Sequence, residues 1–184
     1  MSLAGKRVFI TGGSRGIGLE IAKRIAKDGA QIAIAAKTGE ANPKLPGTIY
    51  TAAAEIEAAG GSALPLLTDI RDESAIESSV AAAVAQFGGL DILINNAGLS
   101  GKTAFTETPW SKLTAEIQLM ITSVTELCHR VLPQMQENGW GRIVNLSSLA
   151  AFSPPGASLL YTGIKHYVLD ISQSLDMELK PQGI

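Results

Sequence analysis

Eight residues near the N-terminus constrain this chain most: Thr11-Gly12-Gly13-Ser14-Arg15-Gly16-Ile17-Gly18. They stand between an apolar run, Val8-Phe9-Ile10, and a helical pattern from Ile17 to Ala26 whose apolar face is Ile17, Ile21, Ala22 and Ile25. Glycine is needed where a strand turns sharply into a helix, because a side chain there blocks the turn, the close packing of helix on strand and the approach of a ligand to the backbone. The free N–H groups at the start of such a helix face outward as an anion site, so the segment predicts a phosphate-binding turn. A glycine-rich loop alone is an ordinary feature; its position directly after the first strand is what carries the reading.

The rest of the chain repeats the alternation of strand-length runs and longer helical patterns, the sequence form of βαβ units with a parallel sheet covered on both faces. Strands are expected at Gln31 to Ala36, Ala63 to Leu67, Leu90 to Ile94 and Arg142 to Leu146. Helices are expected at Thr48 to Ala59, Glu73 to Phe87, Thr108 to Asn138 and Leu160 to Leu179, with Gly60-Gly61 and Gly88-Gly89 as stops and Pro133 bending the long one. Residues 38–47 carry two prolines and two glycines and read as a loop, as does Pro154-Pro155-Gly156. At 184 residues without repeat or linker, residues 1–184 are expected to form a single domain.

Composition excludes several classes. With 46% hydrophobic and 17% charged residues the chain is neither disordered nor fibrous, and a formal net charge of -2 offers no basic field for nucleic acid. The single cysteine, Cys128, cannot form an internal disulfide, which fits a reducing cytoplasm. No signal-peptide pattern opens the chain and no apolar window suits a membrane span, so a soluble, cytoplasmic protein is expected. Cys128 and His129 are adjacent within a helix and lack further ligand-type neighbours, so no metal site is expected.

The spacing Gly-x-x-x-Gly-x-Gly, together with Asn95-Asn96-Ala97-Gly98, Ser148 and Tyr161-Thr162-Gly163-Ile164-Lys165 in that order, resembles the short-chain dehydrogenase/reductase family over nearly the whole chain. The segments Ile34-Ala35-Ala36-Lys37-Thr38, Pro43-Lys44-Leu45 and Gly47 to Ala53 resemble its hydroxysteroid dehydrogenase-like subgroup, a name that describes ancestry and not substrate. The resemblance implies a Rossmann-type doubly wound sheet that binds a nicotinamide cofactor. Gly12, Ser14, Arg15, Gly16, Ile17, Gly18, Ala97 and Gly98 would then hold the cofactor.

It also implies that Asp69 meets the adenine amino group, although an aspartate there equally suits the cap of the following helix. Asn95 would brace the sheet beside the cofactor. An acid at the end of the second strand selects NAD, and a base selects NADP. This chain offers Ala35, Ala36 and Lys37, with Arg15 in the turn, so NADP(H) is expected unless Lys37 is a plain surface charge.

Tyr161 and Lys165 are four apart at the start of a helix and share one face. A phenol exchanges protons poorly at neutral pH unless a cation favours its phenolate, which makes this pairing an acid/base unit. Ser148 follows the fifth strand, where doubly wound folds place ligands, and its hydroxyl suits a substrate oxygen on which charge develops; Ser147 fits the spacing less well. By resemblance Tyr161 donates the proton as hydride reaches a carbonyl carbon, while Lys165 also holds the nicotinamide ribose. The partners implied are a small carbonyl or alcohol and a second copy of the chain, joined through the long helix and the Tyr161 helix.

Two features depart from the family pattern. Met120 stands where an asparagine is usual, and a thioether cannot reproduce its hydrogen bonds. Only five strands can be placed before Ile184, so the usual C-terminal strands are expected to be lacking. A cofactor-binding or oligomerising module with little turnover is therefore the rival reading. A sugar-nucleotide epimerase shares Tyr-x-x-x-Lys but usually differs in glycine spacing.

Overall fold

The computed structural model describes residues 2–43, 46–99, 105–154 and 159–184. Lys44, Leu45, Pro155 and Gly156, which belong to the two expected loops, lie outside the described residues. Five parallel strands, β1 (Arg7–Thr11), β2 (Gln31–Ala36), β3 (Ser62–Leu67), β4 (Ile92–Asn95) and β5 (Arg142–Asn145), form one sheet in the order β3-β2-β1-β4-β5. The order reverses between β1 and its neighbour β4, which opens a crevice at the carboxyl ends of those strands.

The chain's alternation of side chains builds the two faces. Val8 and Ile10 of β1 point into a cluster with Ala22, Ile25, Ile34 and Ile56, under α1 (Gly16–Ala26) and α2 (Ile49–Ala58). Phe9 points the other way, against Ile76, Val80, Leu127 and Val131 of α3 (Glu73–Phe87) and α5 (Ser123–Asn138). Because both faces are covered, the inner strands read as continuous apolar runs, and β1 and β2 are buried almost throughout. Burying each valine, isoleucine or phenylalanine of these strands contributes roughly 1.5–3 kcal/mol.

Helix starts follow local chemistry. Thr48 caps α2 by accepting from the Thr51 N–H, and the Thr51 hydroxyl accepts from the Thr48 N–H in return, a closed box. Asp72 caps α3 by accepting from Ser74 and Ala75. The helix cap is thus Asp72 and not Asp69, which corrects the alternative role considered for Asp69.

Three boundaries differ from expectation for identifiable reasons. The strand expected from Leu90 begins at Ile92, because the Leu90 N–H is taken by the Gln134 side chain. The strand expected to Leu146 stops at Asn145, since the Leu146 carbonyl turns to Lys165. The long helix is not continuous. After α4 (Trp110–Ile117) the hydrogen-bond pattern widens to a π turn at Gln118–Thr122, and α5 then runs unbroken through Pro133. The π turn carries Met120 inward onto Ile164 and Val168 of α6 (Leu159–Leu179). Among the described residues, β5 is one edge of the sheet, and a separate cavity of about 350 Å³ beside it is lined by Arg142, Ser172, Leu175 and Leu179.

Candidate active site

The glycine turn is held from the side by one residue. Asn96, directly after β4, donates from Nδ2 to the carbonyl oxygens of Thr11 (2.9 Å) and Gly12 (3.2 Å). The Thr11 hydroxyl accepts from the N–H groups of Asn96 (3.1 Å) and Ala97 (3.0 Å), which locks the β1 and β4 ends together. That closeness dictates the glycines. At Gly18 a Cβ would stand 2.5 Å from Asn96 Nδ2 and 2.6 Å from the Gly12 oxygen, and Gly12 has a positive φ of 68° with Ala97 Cα only 2.9 Å from where its Cβ would be. Gly16 differs: a Cβ there meets nothing within 4 Å, so the start of α1 faces open space.

Two adjoining cavities follow the crevice and share Asn96, Gly98 and Leu99. The first, about 250 Å³, is lined by Gly12, Ser14, Arg15, Lys37, Asp69, Arg71 and Ala97 among others. Lys37 is exposed just beyond β2, and Arg15 is oriented by a 2.9 Å bond from Nη2 to the Gly47 oxygen. Asp69 is chelated by Arg71, whose Nε lies 2.9 Å and 3.2 Å from its two carboxylate oxygens and whose Nη2 completes the pair. This guanidinium holds the Asp69 carboxyl down to about 2.

The second cavity, about 180 Å³, is lined by Ile17, Leu146, Ser147, Tyr161 and Lys165 as well as the shared residues. Lys165 is 8% exposed as a residue; its ammonium donates to the Leu146 carbonyl at 2.7 Å and lies 5.6 Å from the centre of the Tyr161 ring. Burial pushes its pKa below the usual lysine value. Ser147 Oγ donates to the Lys165 carbonyl at 2.9 Å, which commits its proton to the helix backbone. Ser148 Oγ accepts from the Ala150 N–H at 3.2 Å and caps the turn Leu149–Phe152, a bond that leaves its own proton to be donated elsewhere.

Of the residues singled out in the sequence, the cavities bring together Gly12, Ser14, Arg15, Ile17, Lys37, Asp69, Ala97, Gly98, Tyr161 and Lys165. Ser148 and Asn95 line neither cavity. Asn95 lies beneath them, donating to Asn145 Oδ1 at 2.8 Å and to Cys128 Sγ at 3.6 Å. Asn96, Thr11 and Arg71 were not singled out individually. Asn96 sits inside a motif already noted, and Arg71 is a base two positions from an acid, a pairing visible in the sequence. No helix among the described residues is long and apolar enough to cross a membrane, and none of them form a group of three or more metal-ligating side chains.

Comparison with known proteins accords with this geometry. The family model described as short chain dehydrogenase matches residues 6–184. Hydroxysteroid dehydrogenase-like protein 2 of Bos taurus is 50% identical over 152 residues, covering 83% of this chain and 36% of the relative. The chain therefore spans little more than a third of that relative's length. A short chain dehydrogenase from Mycobacterium thermoresistibile superposes with a TM-score of 0.89 at 41% identity, covering all of this chain and 66% of its own. A 3-ketoacyl-(acyl-carrier-protein) reductase from Brucella melitensis, solved with NADH, gives 0.88 at 30% identity, covering all of this chain and 73% of its own. This chain belongs to the short-chain dehydrogenase family.

Proposed function

We propose that the chain forms one dinucleotide-binding domain of an NADP(H)-dependent oxidoreductase, acting on a small carbonyl or secondary alcohol with Tyr161 as acid/base. The observation that carries the reading is that Tyr161 and Lys165 line a cavity that adjoins the one at the glycine turn and shares Asn96, Gly98 and Leu99 with it. Open space over Gly16 at the start of α1 fits a pyrophosphate, whose charge the helix N-terminus favours. Arg15 and Lys37 flank the far end, where a ribose 2′-phosphate needs cations. The Brucella reductase was solved with NADH, so the preference for NADP(H) rests on Lys37 and Arg15 of this chain.

A bound nicotinamide supplies or accepts the hydride. Tyr161 gives its hydroxyl proton to the substrate oxygen in reduction and takes it back in oxidation. Lys165, fixed by the Leu146 carbonyl, places its ammonium 5.6 Å from the centre of the ring that gives up the proton. The Ser148 hydroxyl, which accepts from the Ala150 N–H and stands outside the lining of the Tyr161 cavity, is the group we assign to the same substrate oxygen, which it reaches only if the substrate extends beyond that cavity. Self-association through α5 and α6 and a cytoplasmic site of action complete the reading. Initial rates with NADPH and NADH over a panel of ketones and aldehydes test it; turnover preferring NADPH supports it, and a clear NADH preference contradicts the cofactor assignment.

A second reading, a nucleotide-binding module without turnover, is favoured by Met120. It is 1% exposed and packs with Ile164, Val168 and Tyr161, so no side-chain donor or acceptor stands at that position. Cofactor binding with no turnover across the panel would support this module instead.

A further inference from the structure

We propose that Arg71 sets the chain's selectivity for adenine by clamping the Asp69 carboxylate at the far end of the cleft. The inference rests on the reading that this end takes the adenosine half of a dinucleotide.

Asp69 and Arg71 line two cavities at once. One is the 250 Å³ cavity with Arg15 and Lys37, and the other is a more open one of about 500 Å³ shared with Asp72, Ser111, Thr114 and Gln118. The pair belongs to the lining of both. Both side chains are more than a third exposed, at 37% and 40%. An unpaired carboxylate at that exposure samples several rotamers and faces either cavity. Arg71 removes this freedom through Nε, Nη2 and its own N–H, which reaches Oδ1 at 3.1 Å. The loop itself is closed by the Asp72 N–H bonding to the Asp69 carbonyl at 3.0 Å and by the Asp72 cap on α3.

A carboxylate offers about four lone-pair sites. The backbone N–H and the single Nε hydrogen occupy Oδ1, the 3.2 Å approach of Nε to Oδ2 being the long arm of that same hydrogen, and Nη2 occupies one of the two sites on Oδ2. What remains is acceptor capacity on Oδ2, and with its carboxyl held down to about 2 the group stays an acceptor at any working pH. A fixed acceptor selects a donor. Adenine presents an amino group at C6, whereas hypoxanthine presents a carbonyl oxygen, which a carboxylate repels. Lys37 and Arg15 share the cavity but attract the phosphates of both nucleotides alike, so they contribute affinity without base selectivity.

Titration calorimetry with 5′-AMP and 5′-IMP separates these roles in the wild-type chain, Arg71→Leu, Arg71→Lys and Asp69→Asn. The wild type is expected to bind 5′-AMP about tenfold more tightly than 5′-IMP, the scale of one hydrogen bond to a charged acceptor. Arg71→Leu should lose most of that preference with its affinity for 5′-IMP unchanged, and Arg71→Lys, which cannot chelate, should fall between. An undiminished preference in Arg71→Leu, or an equal loss for both nucleotides, overturns the proposal and leaves the adenosine reading standing. No preference in the wild type, with Asp69→Asn also without effect, overturns the adenosine reading itself and the proposal with it.

Discussion

The Lys165 ammonium donates to the backbone carbonyl of Leu146 across 2.7 Å, tying α6 to the carboxyl end of β5 at the point where Tyr161 and Lys165 face the crevice. A second tie lies two turns further along α6. Asn95 Nδ2 donates to Asn145 Oδ1 (2.8 Å), Asn145 Nδ2 to Ser172 Oγ (3.0 Å), and Ser172 Oγ to the Val168 carbonyl (2.6 Å). Asn95 Oδ1 is already without a partner, so the network has little slack among the described residues.

Asn145→Leu should therefore leave one Asn95 amide N–H without its oxygen partner, only the weak Cys128 acceptor remaining, and lower stability by about 1–3 kcal/mol. Ser172→Ala, at the helical end of the chain of bonds, should cost less. Urea unfolding of both variants measures the order; equal stability of Asn145→Leu and wild type would show that the ties do not act as a network.

Gly18→Ala and Gly16→Ala should separate packing from conformation. At Gly18 a Cβ stands 2.5 Å from Asn96 Nδ2 and 2.6 Å from the Gly12 oxygen, so about 1–3 kcal/mol of overpacking is expected in thermal unfolding. At Gly16 there is room, and the cost is the positive φ of 56°, roughly 1–2 kcal/mol, accompanied by weaker nucleotide binding.

Lys37→Asp should reverse cofactor choice. It replaces the exposed cation beyond β2 with an acid that repels a 2′-phosphate and accepts from ribose hydroxyls. The ratio of Kd for NADPH to Kd for NADH, followed by nucleotide fluorescence, should rise by about tenfold or more, the scale of a charge-assisted contact. An unchanged ratio would mean that Lys37 is only a surface charge.

Cys128 should be chemically silent in the folded chain. Burial pushes its thiol up to about 11, so the reactive thiolate is scarce at pH 8 and becomes plentiful only as pH rises through that value. Alkylation by iodoacetamide should be slow in native buffer and fast in urea. Rapid native labelling at pH 8 would show that α5 opens readily.

The strand segments and the glycine turn were legible because both rest on local rules: buried parallel strands read as apolar runs, and Gly12, Gly16 and Gly18 mark a strand-to-helix turn; the order of the strands came only with the family resemblance. Helical spacing put Tyr161 and Lys165 on one face, while the family resemblance singled them out. What escaped was set by contacts distant in sequence. Asn96 holds the turn across 84 and 85 positions, and no local pattern distinguishes it from Asn95. The π turn around Met120 was hidden for the same reason. Its residues are ordinary helix formers, and the widened turn brings Met120 against Ile164 and Val168, more than forty positions further along the chain.

Tyr161→Phe is the decisive substitution, since it removes one hydroxyl from the cavity and leaves the glycine turn untouched. Turnover of a substrate that the wild type reduces should fall by about 100-fold or more, the contribution of a positioned general acid. Kd for NADPH should stay within about twofold, well under 1 kcal/mol. Turnover within a few-fold of wild type would rule out Tyr161 as the acid/base and, with it, the oxidoreductase chemistry proposed for this cleft.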